Sequence, residues 1–173
     1  FTKNGFMHQI KMSAVPKGRN RDKGVLIQSL CKLGNDEVLI YIAFEDLFNS
    51  QLLFATKNGL VKLVSGIEFE TTRSTINATK LDDGDELIAV RPLSDEESIS
   101  EDSSVVIITH KEASLRFPLS QVNELKKASK GVKGITMAAD DYAWYAEVIS
   151  KEIETIEHDG KKFSAKKIKI RKR

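Results

Sequence analysis

The run Phe54-Ala55-Thr56-Lys57-Asn58-Gly59-Leu60-Val61-Lys62 repeats an earlier one, Phe1-Thr2-Lys3-Asn4-Gly5-Phe6-Met7-His8. Thr2, Thr56 and Thr109 mark a register of 54 and then 53 residues. In each copy a hairpin is followed by a polar, partly basic loop, an apolar strand, and an acidic turn closed by another strand. A strand-built period near fifty residues is the signature of a blade-type array, in which no unit buries both faces alone and each must stack on its neighbours. The fold expected is all-β: about three four-stranded antiparallel blades, centred on residues 1–46, 47–97 and 98–150, with a terminal strand and basic tail over 151–173.

Local sequence supports the strands. Asn58-Gly59 between two apolar runs is a strong hairpin signal, because the mirror-image turn needs positive φ at both central residues. Asn4-Gly5 repeats it. In the third copy Val105-Val106-Ile107-Ile108-Thr109 and Ser114-Leu115-Arg116-Phe117 flank His110-Lys111-Glu112-Ala113. Ala113 there replaces the glycine, so a longer or different turn is expected. Second strand pairs are read at 25–27 with 37–42 and at 79–81 with 86–90, across turns of Gly, Asn and Asp. In the third copy the matching segments are 134–137 and 142–146. Residues 94–102 read as an acidic link, and 119–128 allow one or two turns of helix. Three blades close no ring and leave sheet edges able to pair. The chain also opens inside a strand pattern without an initiator Met, so it reads as part of something longer.

Charge is segregated although the net is only +2. Residues 1–24 carry Lys3, Lys11, Lys17, Arg19, Arg21 and Lys23 against Asp22, a balance of +5. Residues 82–102 carry nine acids against Arg91, a balance of −8, and 161–173 carry eight cations and no acid. Such segregation suits an anion-binding rim. No apolar run approaches the roughly 20 residues of a membrane span, and the first twelve residues lack a signal-peptide core. Cys31 is the only cysteine, which points to a reducing cytoplasm. His8, His110 and His158 share no ligand spacing, and no metal site is expected.

The motifs 54–62, Leu81-Asp82-Asp83-Gly84-Asp85-Glu86-Leu87-Ile88 and Lys130-Gly131-Val132-Lys133-Gly134-Ile135 resemble the C-terminal domain of the A subunit of bacterial type II topoisomerases, DNA gyrase and topoisomerase IV. The resemblance covers roughly residues 1–146. It implies a β-pinwheel, a disc of five or six blades that exchange strands and bend DNA on a basic outer rim; this chain resembles part of one. The gyrase-type glutamine-arginine-glycine box is not visible. The loop in its place, Pro16-Lys17-Gly18-Arg19-Asn20-Arg21-Asp22-Lys23-Gly24, is basic but degenerate, which favours topoisomerase IV over gyrase unless the box sits in a missing blade. The ending 156–162 with 168–170 is similar to terminal strands of Gram-positive members.

Enzymes of this family cleave DNA with a tyrosine beside an arginine. Tyr41, Tyr142 and Tyr145 follow Ile40, Asp141 and Trp144, never Arg, and no phosphate-cradling loop is present. No catalysis is therefore expected of this chain by itself. ATP and Mg would act elsewhere in the holoenzyme, and the implied partners are duplex DNA, the rest of the A subunit and the ATPase B subunit. A cytoplasmic, nucleoid-associated location follows from the resemblance, with no membrane involved.

The expected binding residues are the rim loops: Lys17, Arg19, Arg21 and Lys23 in the first copy, Arg73 with nearby Lys57 and Lys62 in the second, and Lys126, Lys127, Lys130 and Lys133 in the third. Such loops meet phosphates and carry no base readout. Asp82, Asp83 and Asp85 read as solvated turn residues whose loss would leave binding intact. The rival reading is a propeller that serves as a protein-interaction scaffold.

Overall fold

The computed structural model describes residues 1–43 and 47–168. Its strands are β1 (Phe6–His8), β2 (Gln51–Thr56), β3 (Leu60–Ser65), β4 (Thr75–Asn77), β5 (Leu87–Pro92), β6 (Ser104–Thr109), β7 (Ser114–Pro118), β8 (Val132–Lys133), β9 (Ala143–Ile149), β10 (Thr155–His158) and β11 (Lys161–Ser164). One short helix, α1 (Asp95–Ile99), lies between β5 and β6. All strand pairing between these elements is antiparallel, as expected of an all-β array.

The middle sheet has the order β5-β2-β3-β8. Its first three strands belong to the second repeat, and the fourth comes from the third. The first sheet obeys the same rule: β1 pairs with β4 of the second repeat, and Thr2 bridges Leu39 on the other side. The third sheet, β7-β6-β9, has three strands. A unit thus completes itself with a strand from its successor. This departs from the expected pairing of 79–81 with 86–90, because the crossing segment is 75–77 and it leaves for the first sheet. Residues 25–27 and 134–137 likewise form no strand; Ile27–Ser29 is a 3-10 turn and the third-repeat crossing strand is β8.

Alternation along each strand fills two cores at once, since successive side chains point to opposite faces. Leu52 and Phe54 pack with Phe1 and Met7 of the first unit, whereas Leu53 and Ala55 pack with Val105, Ile107 and Phe117 of the third. Val106 and Ile108 face the other way, onto Ile156, Phe163 and Ala165. Sheets buried on both faces explain near-continuous apolar runs such as Ser104–Thr109, every residue of which is buried.

The turns also have local causes. Gly5 and Gly59 take φ of 80° and 78°, but Asn4 and Asn58 do not take positive φ. The turn is therefore not the mirror-image type expected of Asn-Gly: Gly5 and Gly59 close turns by donating their N–H groups to Thr2 O and Thr56 O. In the third repeat Glu112 occupies that place with φ 63°, so the turn keeps its length and only its residue changes. The carbonyl of each turn glycine receives the incoming chain: Gly5 accepts from Ala78 at 2.7 Å and Gly59 from Gly134 at 2.8 Å. α1 begins with a capping box, in which Ser94 and Glu97 each accept the other's backbone N–H. Residues 119–128 hold only the 3-10 turn Leu119–Gln121. Where a single terminal strand was expected, β10 and β11 form a hairpin turned at Asp159-Gly160, in effect the start of a fourth copy. The tail from 169 onward, like residues 44–46 of the first blade, lies outside the described residues.

Candidate nucleic-acid interface

The basic loops of the second and third repeats are the connectors that deliver the crossing strands. Residues 70–74 lead into β4, the outer strand beside β1, and 122–131 lead into β8, the edge of the middle sheet. A loop that feeds an edge strand sits on the periphery, which is where cations meet a large ligand.

The first-repeat loop is the most open. Every residue from 11 to 26 is exposed, including Lys17, Arg19, Arg21 and Lys23. A tight turn shapes it: the Arg19 N–H donates to Asp22 Oδ2 at 2.7 Å and the Asp22 N–H to the Arg19 carbonyl at 2.9 Å. Lys11 is also exposed and lies next to this loop; the charge count contains it, but spacing did not single it out. Arg73, in the second-repeat connector, is exposed, and its own N–H is held by Thr71 Oγ1 at 3.1 Å.

The third-repeat loop is ordered differently. Its chain runs beside β3, with the Leu63 N–H donating to Asn123 O at 3.0 Å and the Leu125 N–H to Leu63 O at 2.8 Å. Glu68 faces its lysines. Lys126 Nζ lies 3.1 Å from Glu68 Oε1, the Lys127 N–H donates to Oε2 at 2.8 Å, and Lys127 Nζ donates to the Glu68 carbonyl. Burial works to raise the Glu68 carboxyl, but these donors bring it below its ordinary pKa. Lys130 pairs with Asp82. Lys133, on β8, is exposed and joins no ion pair among the described residues.

Two expected contacts lie elsewhere. Lys62 is corrected outright: it is 1% exposed and cannot present a cation to a ligand. Its Nζ donates to the carbonyls of Lys126 at 3.3 Å, Lys127 at 2.8 Å and Ser129 at 2.7 Å, and stands 5.4 Å from the Phe54 ring centre. Burial lowers its pKa to about 8, and Glu68 opposes that shift. Lys57 sits on a hairpin turn and in no connector loop. It lies 3.7 Å from Glu86 and 5.5 Å from the centre of the Tyr142 ring.

The acidic turns also divide. Asp83 is exposed, but Asp85 is 7% exposed, and its Oδ1 accepts the N–H groups of Asn58 and Glu86, both at 2.9 Å. Asp141 repeats the pattern in the third copy, with Lys111 at 3.1 Å and Tyr142 at 2.9 Å. Asp85 is therefore a turn clamp and not a solvated acid. Sequence reasoning also missed Glu68, whose loop partners lie 58 and 59 residues away; nothing in its local sequence signals them.

Among the described residues no group of three or more His, Cys, Asp or Glu is placed to hold a metal ion, and no helix is long and apolar enough to cross a membrane.

Comparison with known proteins agrees with this geometry. The profile of the family described as DNA gyrase C-terminal domain, beta-propeller, matches residues 1–44, 50–94 and 103–143, one segment per repeat. The DNA gyrase A subunit of Helicobacter pylori is 31% identical over 154 residues, covering 87% of this chain and 18% of that protein. Its Staphylococcus aureus counterpart is 36% identical over 145 residues, covering 82% of this chain and 16% of its own length. The chain thus spans less than a fifth of the curated relatives it matches. In fold it is similar to the C-terminal domain of DNA topoisomerase IV, with a TM-score of 0.79 at 24% identity over 90% of this chain and 47% of the other. A DNA gyrase A C-terminal domain gives 0.73 at 21% identity over 99% and 55%. Sequence relatives named for gyrase stand beside fold neighbours named for both enzymes, so these comparisons do not separate the two as the missing box was expected to. With a profile matched across all three repeats, the chain belongs to the DNA gyrase C-terminal β-propeller family, the accessory C-terminal domain of type II topoisomerase A subunits.

Proposed function

We propose that this chain binds duplex DNA without sequence preference along its connector loops and bends it, as the DNA-capturing accessory domain of a type II topoisomerase. One observation carries the reading: the loop around 17–23 holds four exposed cations against the single acid Asp22, in a stretch where every residue from 11 to 26 is exposed. Lys17, Arg19, Arg21, Lys23, Arg73 and Lys133 are all exposed and join no ion pair among the described residues. No recognition helix accompanies them, so phosphate contact is the chemistry on offer. Bending 20–30 bp by 40–90° costs about 1–6 kcal/mol, which several such contacts would have to offset. ATP, Mg and strand cleavage then belong to other parts of an assembly of A and B subunits in the bacterial cytoplasm, at the nucleoid.

The test is affinity for random-sequence duplex across a salt series. Six neutralised phosphates predict a loss of roughly 10³-fold between 50 and 200 mM salt. Replacing Lys17, Arg19, Arg21 and Lys23 together with Ala should weaken all sequences alike and flatten the salt slope by up to about 3–4, at 0.9 per contact. A fourfold variant that binds like the parent across the series would refute the reading, as would binding confined to one sequence.

A further inference from the structure

We infer that Lys62 is a positioning residue for the lysine-bearing loop 122–131, fixing from beneath the form in which that loop meets DNA. The inference rests on the DNA-binding reading above. An ammonium has three N–H donors. Here all three are directed at carbonyls within the four residues 126–129. Carbonyl oxygens carry partial negative charge and would repel a phosphate; gathered on a buried cation, they are turned inward and neutralised. The backbone is then held between Lys62 on one side and Glu68 on the other. Neighbouring contacts tie the same stretch to the second repeat, since Thr79 Oγ1 donates to Ser129 O at 3.2 Å. Gly131, at φ 102°, lets the chain pass so close to β3 that a Cβ would stand 3.0 Å from Val61 O.

The same register position in the first repeat supports the inference independently. Three residues beyond its turn glycine stands His8, as Lys62 stands three beyond Gly59. His8 Nδ1 shares a hydrogen bond of 3.0 Å with Thr75 Oγ1 on β4, and Nε2 lies 2.5 Å from Glu37 Oε2. In both units, then, a sequestered polar side chain at one register place grips the segment arriving from the next repeat. The third repeat has Leu115 there, on β7, whose outer edge pairs with no described strand. A polar residue at this place therefore goes with a captured connector.

The experiment is a double-mutant comparison on the 173-residue chain. It joins Lys62→Met to a loop variant in which Lys126, Lys127, Lys130 and Lys133 are all Ala, with random-sequence duplex as probe. Amide exchange of 126–130 is the second readout. Lys62→Met should speed exchange there and flatten the salt slope by about 1–2, the worth of one or two phosphates. In the loop-variant background it should cost no further affinity. Equal losses in both backgrounds, or unchanged affinity with faster exchange, would overturn the positioning role. If the loop variant itself binds like the parent, the DNA reading of this loop is what fails, whatever Lys62→Met does. Should Lys62→Met not fold, Lys62→Gln, whose amide still donates two hydrogen bonds, carries the same comparison.

Discussion

Replacing Asp85 with Ala should destabilise the fold far more than replacing its neighbour Asp83. The Asp85 carboxylate holds the Asn58 and Glu86 N–H groups at 2.9 Å each, tying the Asn-Gly hairpin to the start of β5. Hydrogen bonds to charged groups contribute about 1.5–3 kcal/mol each. Two considerations reduce the sum. Asn58 is exposed and Glu86 half-buried, so water can reach the freed donors. Asp85 Oδ2 is itself buried without a hydrogen-bond partner, a cost that the variant relieves. A net loss of about 2–3 kcal/mol remains, or roughly 4–12 °C in Tm for a domain of this size. Urea unfolding with an unchanged slope would measure it. Asp83→Ala, at an exposed turn position, should stay within about 0.5 kcal/mol of the parent. Asp141→Ala, the third-repeat counterpart, should lose less than Asp85→Ala because Asp141 is only half-buried where Asp85 is buried. The reasoning fails if Asp85→Ala unfolds within about 0.5 kcal/mol of the parent, or if Asp141→Ala costs as much.

Two further outcomes follow from burial. Gly66→Ala should destabilise by about 1–3 kcal/mol or more, because its Cβ would fall 2.0 Å from Leu47 O and 2.6 Å from Ser50 O, both backbone atoms; a melting curve like the parent's would contradict that packing. Lys62 makes stability rise with pH: its folded pKa of about 8 lies below the ordinary 10.5, so the unfolded chain binds more protons between those values. The gain across that window is about 3 kcal/mol at most, and subtracting the profile of Lys62→Met isolates it from the other lysines.

The hairpins could be read from sequence because their causes are local. The glycine of each Asn-Gly pair supplies the positive φ, and the flanking residues carry the alternation. The crossing strands could not. β4 is three residues long and β8 two, too short for any periodicity, and their partners β1 and β3 lie about seventy residues away. The cations show the same limit. Lys57, Lys62 and Lys133 are all lysines near a hairpin, yet one sits against an aromatic ring, one is sequestered under a loop and one is exposed with no ion pair among the described residues. Residue type fixes the charge, but contacts from about thirty to eighty-five residues away in sequence decide whether that charge reaches solvent. The exposed loop around 17–23 escaped this ambiguity, because the nine residues 16–24, apolar only at Pro16, have almost nothing to bury.

Strand exchange also bears on how the proposed interface forms. A connector loop such as 122–131 is closed at its far end by β8, which hydrogen-bonds to β3 of the preceding unit at Leu60 and Val61. Its lysines are therefore placed by contacts in two units, through Glu68 and Asp82 of the second repeat and the chain of the third. Breaking the seam between units would release the loop even if each sheet kept its own hairpin. The core argues in the same direction. Leu53, Ala55, Val61 and Leu63 share one core with Val105, Ile107 and Phe117 of the following unit, so separating the two would expose apolar side chains of both at about 1.5–3 kcal/mol per large side chain. Assembly of neighbours and formation of the loop 122–131 are thus one event, and its lysines acquire their positions only when the unit behind them has docked.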